Sequence, residues 1–104
     1  MKLSKLFKKS KSIHKRLLPN GTDEVVRIED ITVPPDFINH PPKQYKIDKA
    51  ELYYHTNKTI DKPISVLVET NERNHPNELI LFDEYTRYLV LNKNNYTRVP
   101  VKYI

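Results

Sequence analysis

Two proline pairs, Pro34-Pro35 and Pro41-Pro42, divide this chain more sharply than any other feature. Proline locks its own φ, lacks a backbone donor and pushes the residue before it out of the helical region. Neither a long helix nor a central strand can therefore run through either pair. The 104 residues hold eight prolines and a single glycine, and the length is that of one domain with one core.

Before the first pair, Val25, Val26, Ile28, Ile31 and Val33 form a β-branched cluster that reads as a short strand. Pro34-Pro35 then opens an extended connector. Residues 43–56, beyond the second pair, are free of Pro and Gly, and Ile47, Ala50 and Tyr54 recur at i, i+3 and i+7, which predicts the main helix. A loop follows over 57–63. Ile64-Ser65-Val66-Leu67-Val68-Glu69 reads as a buried strand, and the polar run 71–77 as a hairpin connection into the apolar strand Glu78-Leu79-Ile80-Leu81-Phe82. Asp83 is the expected N-cap of a helix over 84–93 that ends at Asn94-Asn95, and residues 98–104, with Val99, Val101 and Tyr103 alternating, make the last strand. The expected order is helical arm, β, α, β, β, α, β. That order predicts a small mixed-sheet α/β (α+β) domain.

Charge is distributed unevenly along this plan. Residues 1–18 carry Lys2, Lys5, Lys8, Lys9, Lys11, Lys15 and Arg16 and no acid, a local charge of +7. The remainder holds 11 basic residues against 13 acidic ones, so the formal net charge of +5 resides on the arm. Leu3, Leu6, Phe7, Ile13 and Leu17 fall on one helical face with the cations opposite, which predicts a basic amphipathic helix stopped by Pro19-Asn20-Gly21. Residues 1–21 are thus read as arm and linker, and 22–104 as the folded domain. Such an arm suits the phosphates of nucleic acid, an anionic membrane surface or a protein partner, and it equally suits a helix docked on its own domain. No apolar run is long enough for a signal h-region or a bilayer span. The absence of Cys excludes disulfides, thiolate zinc sites and cysteine nucleophiles, and a cytoplasmic setting is expected. Ten aromatics, seven of them Tyr, are enough for a small core and argue against disorder throughout.

The strand-to-helix junction Phe82-Asp83-Glu84-Tyr85-Thr86-Arg87-Tyr88 carries the most chemistry. A helix N-terminus offers backbone N–H groups and a positive dipole end to an anion. Arg87 lies one turn inside, where its guanidinium can grip a phosphate bidentately, and Thr86 adds a hydroxyl. The plainer reading has Asp83 cap the helix and pair with Arg87, an i,i+4 contact of about 0.2–0.5 kcal/mol. His14, His40, His55 and His75 have no ligand spacing, so no metal is expected. Tyrosines flanked by cations, in Lys43-Gln44-Tyr45-Lys46 and Tyr96-Thr97-Arg98, can either stack on bases or cover the core. The acid pairs Glu29-Asp30 and Asp83-Glu84 are sequence neighbours without the separation of paired catalytic carboxylates.

Ile31-Thr32-Val33-Pro34-Pro35, Lys46-Ile47, Lys62-Pro63-Ile64-Ser65-Val66, Leu81-Phe82-Asp83-Glu84-Tyr85-Thr86-Arg87-Tyr88 and Val99-Pro100-Val101 follow one another as in a known family. The run 28–104, about three quarters of the chain, resembles the ParB/sulfiredoxin-like domains. The resemblance implies a small α/β fold with a phosphate or nucleotide site at the 83–88 turn. It places Asp83, Arg87 and Tyr88 on the family's Asp, Arg and aromatic residue, and Lys46 on a lysine that contacts nucleotide phosphates. Glu84 stands where the family has Gly, Thr86 where it has His, and Tyr85 where sulfiredoxins have their cysteine. Sulfiredoxin chemistry is thereby excluded, and the Gly-Glu-Arg-Arg pattern of true partition proteins is missing.

The leading expectation is a non-catalytic binding module of the plasmid or phage accessory type that the resemblance implies, associated with nucleic acid through its arm. A second is a nucleotide- or phosphate-binding switch, or a kinase-like enzyme, using Arg87, Thr86, Asp83 and Lys46 with a nucleoside phosphate as ligand. A third is a protein inhibitor of a host enzyme, for which the partner is another protein.

Overall fold

The computed structural model describes residues 11–13, 17–69 and 78–104. Its elements are β1 (Lys11–Ser12), β2 (Glu24–Arg27), β3 (Ile31–Thr32), α1 (Pro35–Asn39), α2 (Gln44–Asn57), β4 (Ile64–Glu69), β5 (Glu78–Asp83), α3 (Tyr85–Lys93) and β6 (Tyr96–Tyr103). The sheet runs β1-β6-β4-β5-β3, with β2 also paired to β6. The arrangement is mixed α+β, as expected.

β6 holds the sheet together. Arg98 lies opposite both Ser12 of β1 and Arg27 of β2, and Val101 opposite both Ile64 of β4 and Glu24 of β2. A strand has two edges, so β2 takes one edge of β6 while β1 and β4 share the other in succession. Pro100 falls where the register passes from β1 to β4, which is where a missing backbone donor disturbs the ladder least. Beside it, Asp23 N donates to Val101 O at 2.8 Å and Tyr103 N to Asp23 Oδ2 at 2.9 Å, fixing the start of β2. The hydrogen bond to Glu24, with partial burial, pushes the Tyr103 phenol up to about 12.

Helices α2 and α3 cover the sheet. Ala50 and Tyr54 of α2 and Val90 and Leu91 of α3 pack on Ile64, Val66, Leu81, Val99 and Val101, all buried. Each fully buried Val, Leu or Ile stabilises by about 1.5–3 kcal/mol. The i, i+3, i+7 pattern that predicted α2 is the pattern that meets the core, with Ile47 half-buried beside it. Tyr54 and Tyr96 meet edge-on in this core, their hydroxyls 3.1 Å apart. Burial and that hydrogen bond raise the Tyr96 phenol well above its ordinary value.

Four local expectations are corrected. The helix expected over 1–18 does not run through Lys11–Ser12, which pair as a strand with β6 and deliver Ile13, 6% exposed, into the core. Tertiary pairing overrides the helical spacing there, and residues 1–10 and 14–16 lie outside the described residues. The strand expected over 25–33 is two strands separated by a 3-10 turn at Ile28–Asp30, where Arg27 reaches forward to pair with Glu29 and Asp30. The connector after Pro34 contains α1, whose first position is Pro35, one of the first-turn positions whose N–H has no intrahelical partner anyway. Asp83 is the last residue of β5, and Glu84 is the N-cap of α3. The connection expected over 71–77 lies outside the described residues; β4 and β5 on either side of it pair antiparallel. The turn at Pro19-Asn20-Gly21 forms, with Gly21 at φ 92 and Thr22 Oγ1 donating to Pro19 O at 2.7 Å.

Candidate functional site

One face of α2, the loop after it and the first turn of α3 enclose a groove of about 760 Å³. Tyr45, Lys49, Leu52, Tyr53 and Thr56 line it from α2 at i, i+4, i+7, i+8 and i+11, a single helical face beside the one that Ala50 and Tyr54 bury. Lys46 stands at the margin of that face, Asp61 and Lys62 come from the loop, and Thr86 and Arg87 from α3. Of the residues expected to bind phosphate, Lys46, Thr86 and Arg87 are thus brought together. Asp83 is not: it is exposed at the end of β5, where its Oδ1 accepts from Glu84 N at 2.7 Å. Thr86 is buried at the groove floor, so its hydroxyl is mostly withdrawn from solvent.

Arg87 does not stand open. Its Nε donates to Asp61 Oδ1 at 2.9 Å and its Nη2 to Asp61 Oδ2 at 2.8 Å, a fork-on-fork pair across 26 residues of sequence. Its Nη1 lies 3.2 Å from Glu84 Oε2, an ion-pair contact without hydrogen-bond alignment. The Arg87 bond and charge hold the Asp61 carboxyl below its ordinary value against the opposing effect of burial. The same bond raises Arg87. The expected Asp83–Arg87 pair is replaced by Asp61 and Glu84, since the shift of the cap by one residue turns Asp83 out of reach.

Glu84 adopts φ 70, ψ 37, the left-handed conformation that favours glycine. Arg87 N and Tyr88 N donate to its carbonyl, so its backbone starts the helix although its side chain does not cap it. The chain meets this backbone requirement with a strained Glu. Together, Asp83 and Glu84 put two carboxylates at the N-terminus of α3. Negative charge therefore sits at that helix end, while Lys46, Lys49 and Lys62 bring positive charge to the groove.

Sequence reasoning missed Asp61, Lys49, Lys62 and Tyr53. Tyr53 and Lys49 carry a signal in their helical spacing to Tyr45, whereas Asp61 carries none, because its role depends on a loop meeting α3. Of the two cation-flanked tyrosines, Tyr45 is exposed on the groove and Tyr96 is buried. His55 pairs with Glu51 at 3.0 Å, His40 Nδ1 lies 3.1 Å from Asp36 O, and among the described residues no three potential ligands gather for a metal. Among the described residues, no helix is long and apolar enough to cross a membrane. Of the arm cations, Lys2, Lys5, Lys8, Lys9, Lys15 and Arg16 lie outside the described residues, and Lys11 is in β1.

No protein-family profile and no curated protein matches this chain. Among solved structures, the crystal structure of sulfiredoxin from Arabidopsis thaliana is similar, with a TM-score of 0.58 over 78% of this chain and 84% of that one, at 18% identity. At that identity the likeness is one of architecture, and it shows that this chain has the sulfiredoxin-like α+β fold.

Proposed function

We propose that the domain is a non-catalytic binding module for phosphate-bearing ligands, working in association with nucleic acid. The observation that carries this reading is the convergence of Lys46, Lys49 and Lys62 on one groove where, among the described residues, Asp61 is the only lining carboxylate and is already paired with Arg87. Lysine ammonium groups are strong point-charge partners for phosphate, and a groove of this volume holds a ligand of nucleotide size. Phosphoryl-transfer sites aim an arginine at the reacting group. Here Asp61 and Glu84 occupy that arginine, which supports binding without turnover. The seven cations among residues 1–18 add long-range attraction to a polyanion.

The test is a titration of the intact chain with ATP, CTP and a labelled oligonucleotide, repeated with the Lys46→Ala/Lys49→Ala double variant. Binding should weaken at least tenfold as salt rises from about 50 to about 200 mM, and again in the double variant. Absence of binding at low salt, or affinity indifferent to the double substitution, overturns the reading. Release of inorganic phosphate during incubation overturns its non-catalytic part.

A further inference from the structure

We infer that the groove takes an unpaired nucleic-acid strand, with Tyr45 and Tyr53 as its stacking platforms. This rests on the phosphate reading above and narrows its ligand. Along the groove face of α2, Tyr45 is 63% exposed, Leu52 68% and Tyr53 40%. The apolar work of the helix is already done by Ala50 and Tyr54 on its buried side. Two aromatic rings and a leucine standing in water beside Lys46, Lys49 and Lys62 combine the two features that nonspecific single-strand binding uses: cations that track the backbone and π-faces for bases.

Spacing selects a strand over a lone nucleotide. Eight residues at a helical rise of 1.5 Å set Tyr45 and Tyr53 about 12 Å apart along the axis. One base cannot cover both rings. Two bases of one strand can, and Lys46 and Lys49 lie between the tyrosines in sequence, beside the path of the linking phosphodiesters. A duplex keeps its base faces stacked on one another, so the platforms discriminate against it. Because every base has a π-face, little sequence preference is expected. Tyr96 takes no part, since it is buried against Tyr54.

The experiment is fluorescence anisotropy on the intact chain with three probes of about 12 nucleotides: a thymidine strand, an abasic phosphodiester strand and a duplex. The thymidine strand should bind more tightly than either other probe. Tyr45→Ala/Tyr53→Ala should weaken its binding roughly tenfold to a hundredfold, while Tyr45→Phe/Tyr53→Phe retains it within about twofold. Both tyrosines are exposed, and unchanged circular dichroism verifies that the variants fold. Equal affinity for thymidine and abasic strands, duplex binding as tight as single-strand binding, or indifference to the alanine pair overturns the inference. If Lys46→Ala/Lys49→Ala still weakens binding in that case, the phosphate reading survives. Indifference to the lysine pair as well overturns both.

Discussion

Arg87 and Asp61 face each other through two parallel hydrogen bonds, Nε to Oδ1 at 2.9 Å and Nη2 to Oδ2 at 2.8 Å. The pair ties the loop after α2 to the first turn of α3. It thereby sets the floor of the groove and spends the guanidinium on the fold.

The pair makes stability depend on acid. The Asp61 carboxyl is held below 3.8, so its contribution is present above that value and is lost as pH falls through the folded-state pKa. Both side chains are partly exposed, at 25% and 34%, and screening limits the expected cost of Asp61→Asn to about 1 kcal/mol at neutral pH. Urea unfolding of wild type and variant should show that difference at pH 7 and lose it progressively as the pH falls through the lowered folded-state pKa of Asp61. A difference that persists unchanged in acid would contradict the assignment.

Position 84 separates backbone strain from charge. Glu84→Ala and Glu84→Gly both remove the carboxylate beside Arg87, but only Ala keeps a Cβ at φ 70. The alanine variant should be less stable than the glycine variant by about 1 kcal/mol, read from urea midpoints. Both should bind phosphate ligands more tightly than wild type, because a negative charge has left the neighbourhood of the groove.

How far the sequence could be read depended on the range of the interaction concerned. Strand β4 was legible to the residue and α2 to within one, because each is bounded by prolines or by its own periodicity and buries the positions that periodicity marks. The first residue of α3 was one position off, since a left-handed Glu at an N-cap runs against local preference. α1 was hidden because the proline pair that opens an extended connector also opens a helix. Lys46, Thr86 and Arg87 were found and do share the groove, yet Asp61 was invisible: no local pattern marks a loop carboxylate that a helix 26 residues later will grip. The strand at Lys11–Ser12 was misread as helix for the same reason, as its partner lies at the opposite end of the chain.

Ile13 tests that strand. A free arm predicts no cost for Ile13→Ala, whereas a side chain 6% exposed in the core predicts about 2–4 kcal/mol. Thermal or urea unfolding of the full chain distinguishes the two outcomes. An unchanged midpoint would remove β1 from the fold.

Tyr54 and Tyr96 should behave as a unit. Each Tyr→Phe change deletes one member of a buried hydroxyl pair, at a cost of about 1 kcal/mol, and the double substitution should cost less than the two single changes added together. Strict additivity in a double-mutant cycle would mean that the two hydroxyls are not coupled. The same cycle followed by tyrosine absorbance at high pH should show Tyr96 ionising nearer its ordinary value once Tyr54 is Phe.

The role of β6 as the strand shared by β1, β2 and β4 has a consequence for timing. Those pairings join residues 96–103 to partners as far back as Lys11, so most of the sheet waits on the closure of very long loops. During synthesis β4 and β5 can meet early, but the strand that unites them with the N-terminal pieces is made last. The sheet is therefore complete only once β6 has been made, and long-range pairing of this kind slows folding relative to the formation of helices.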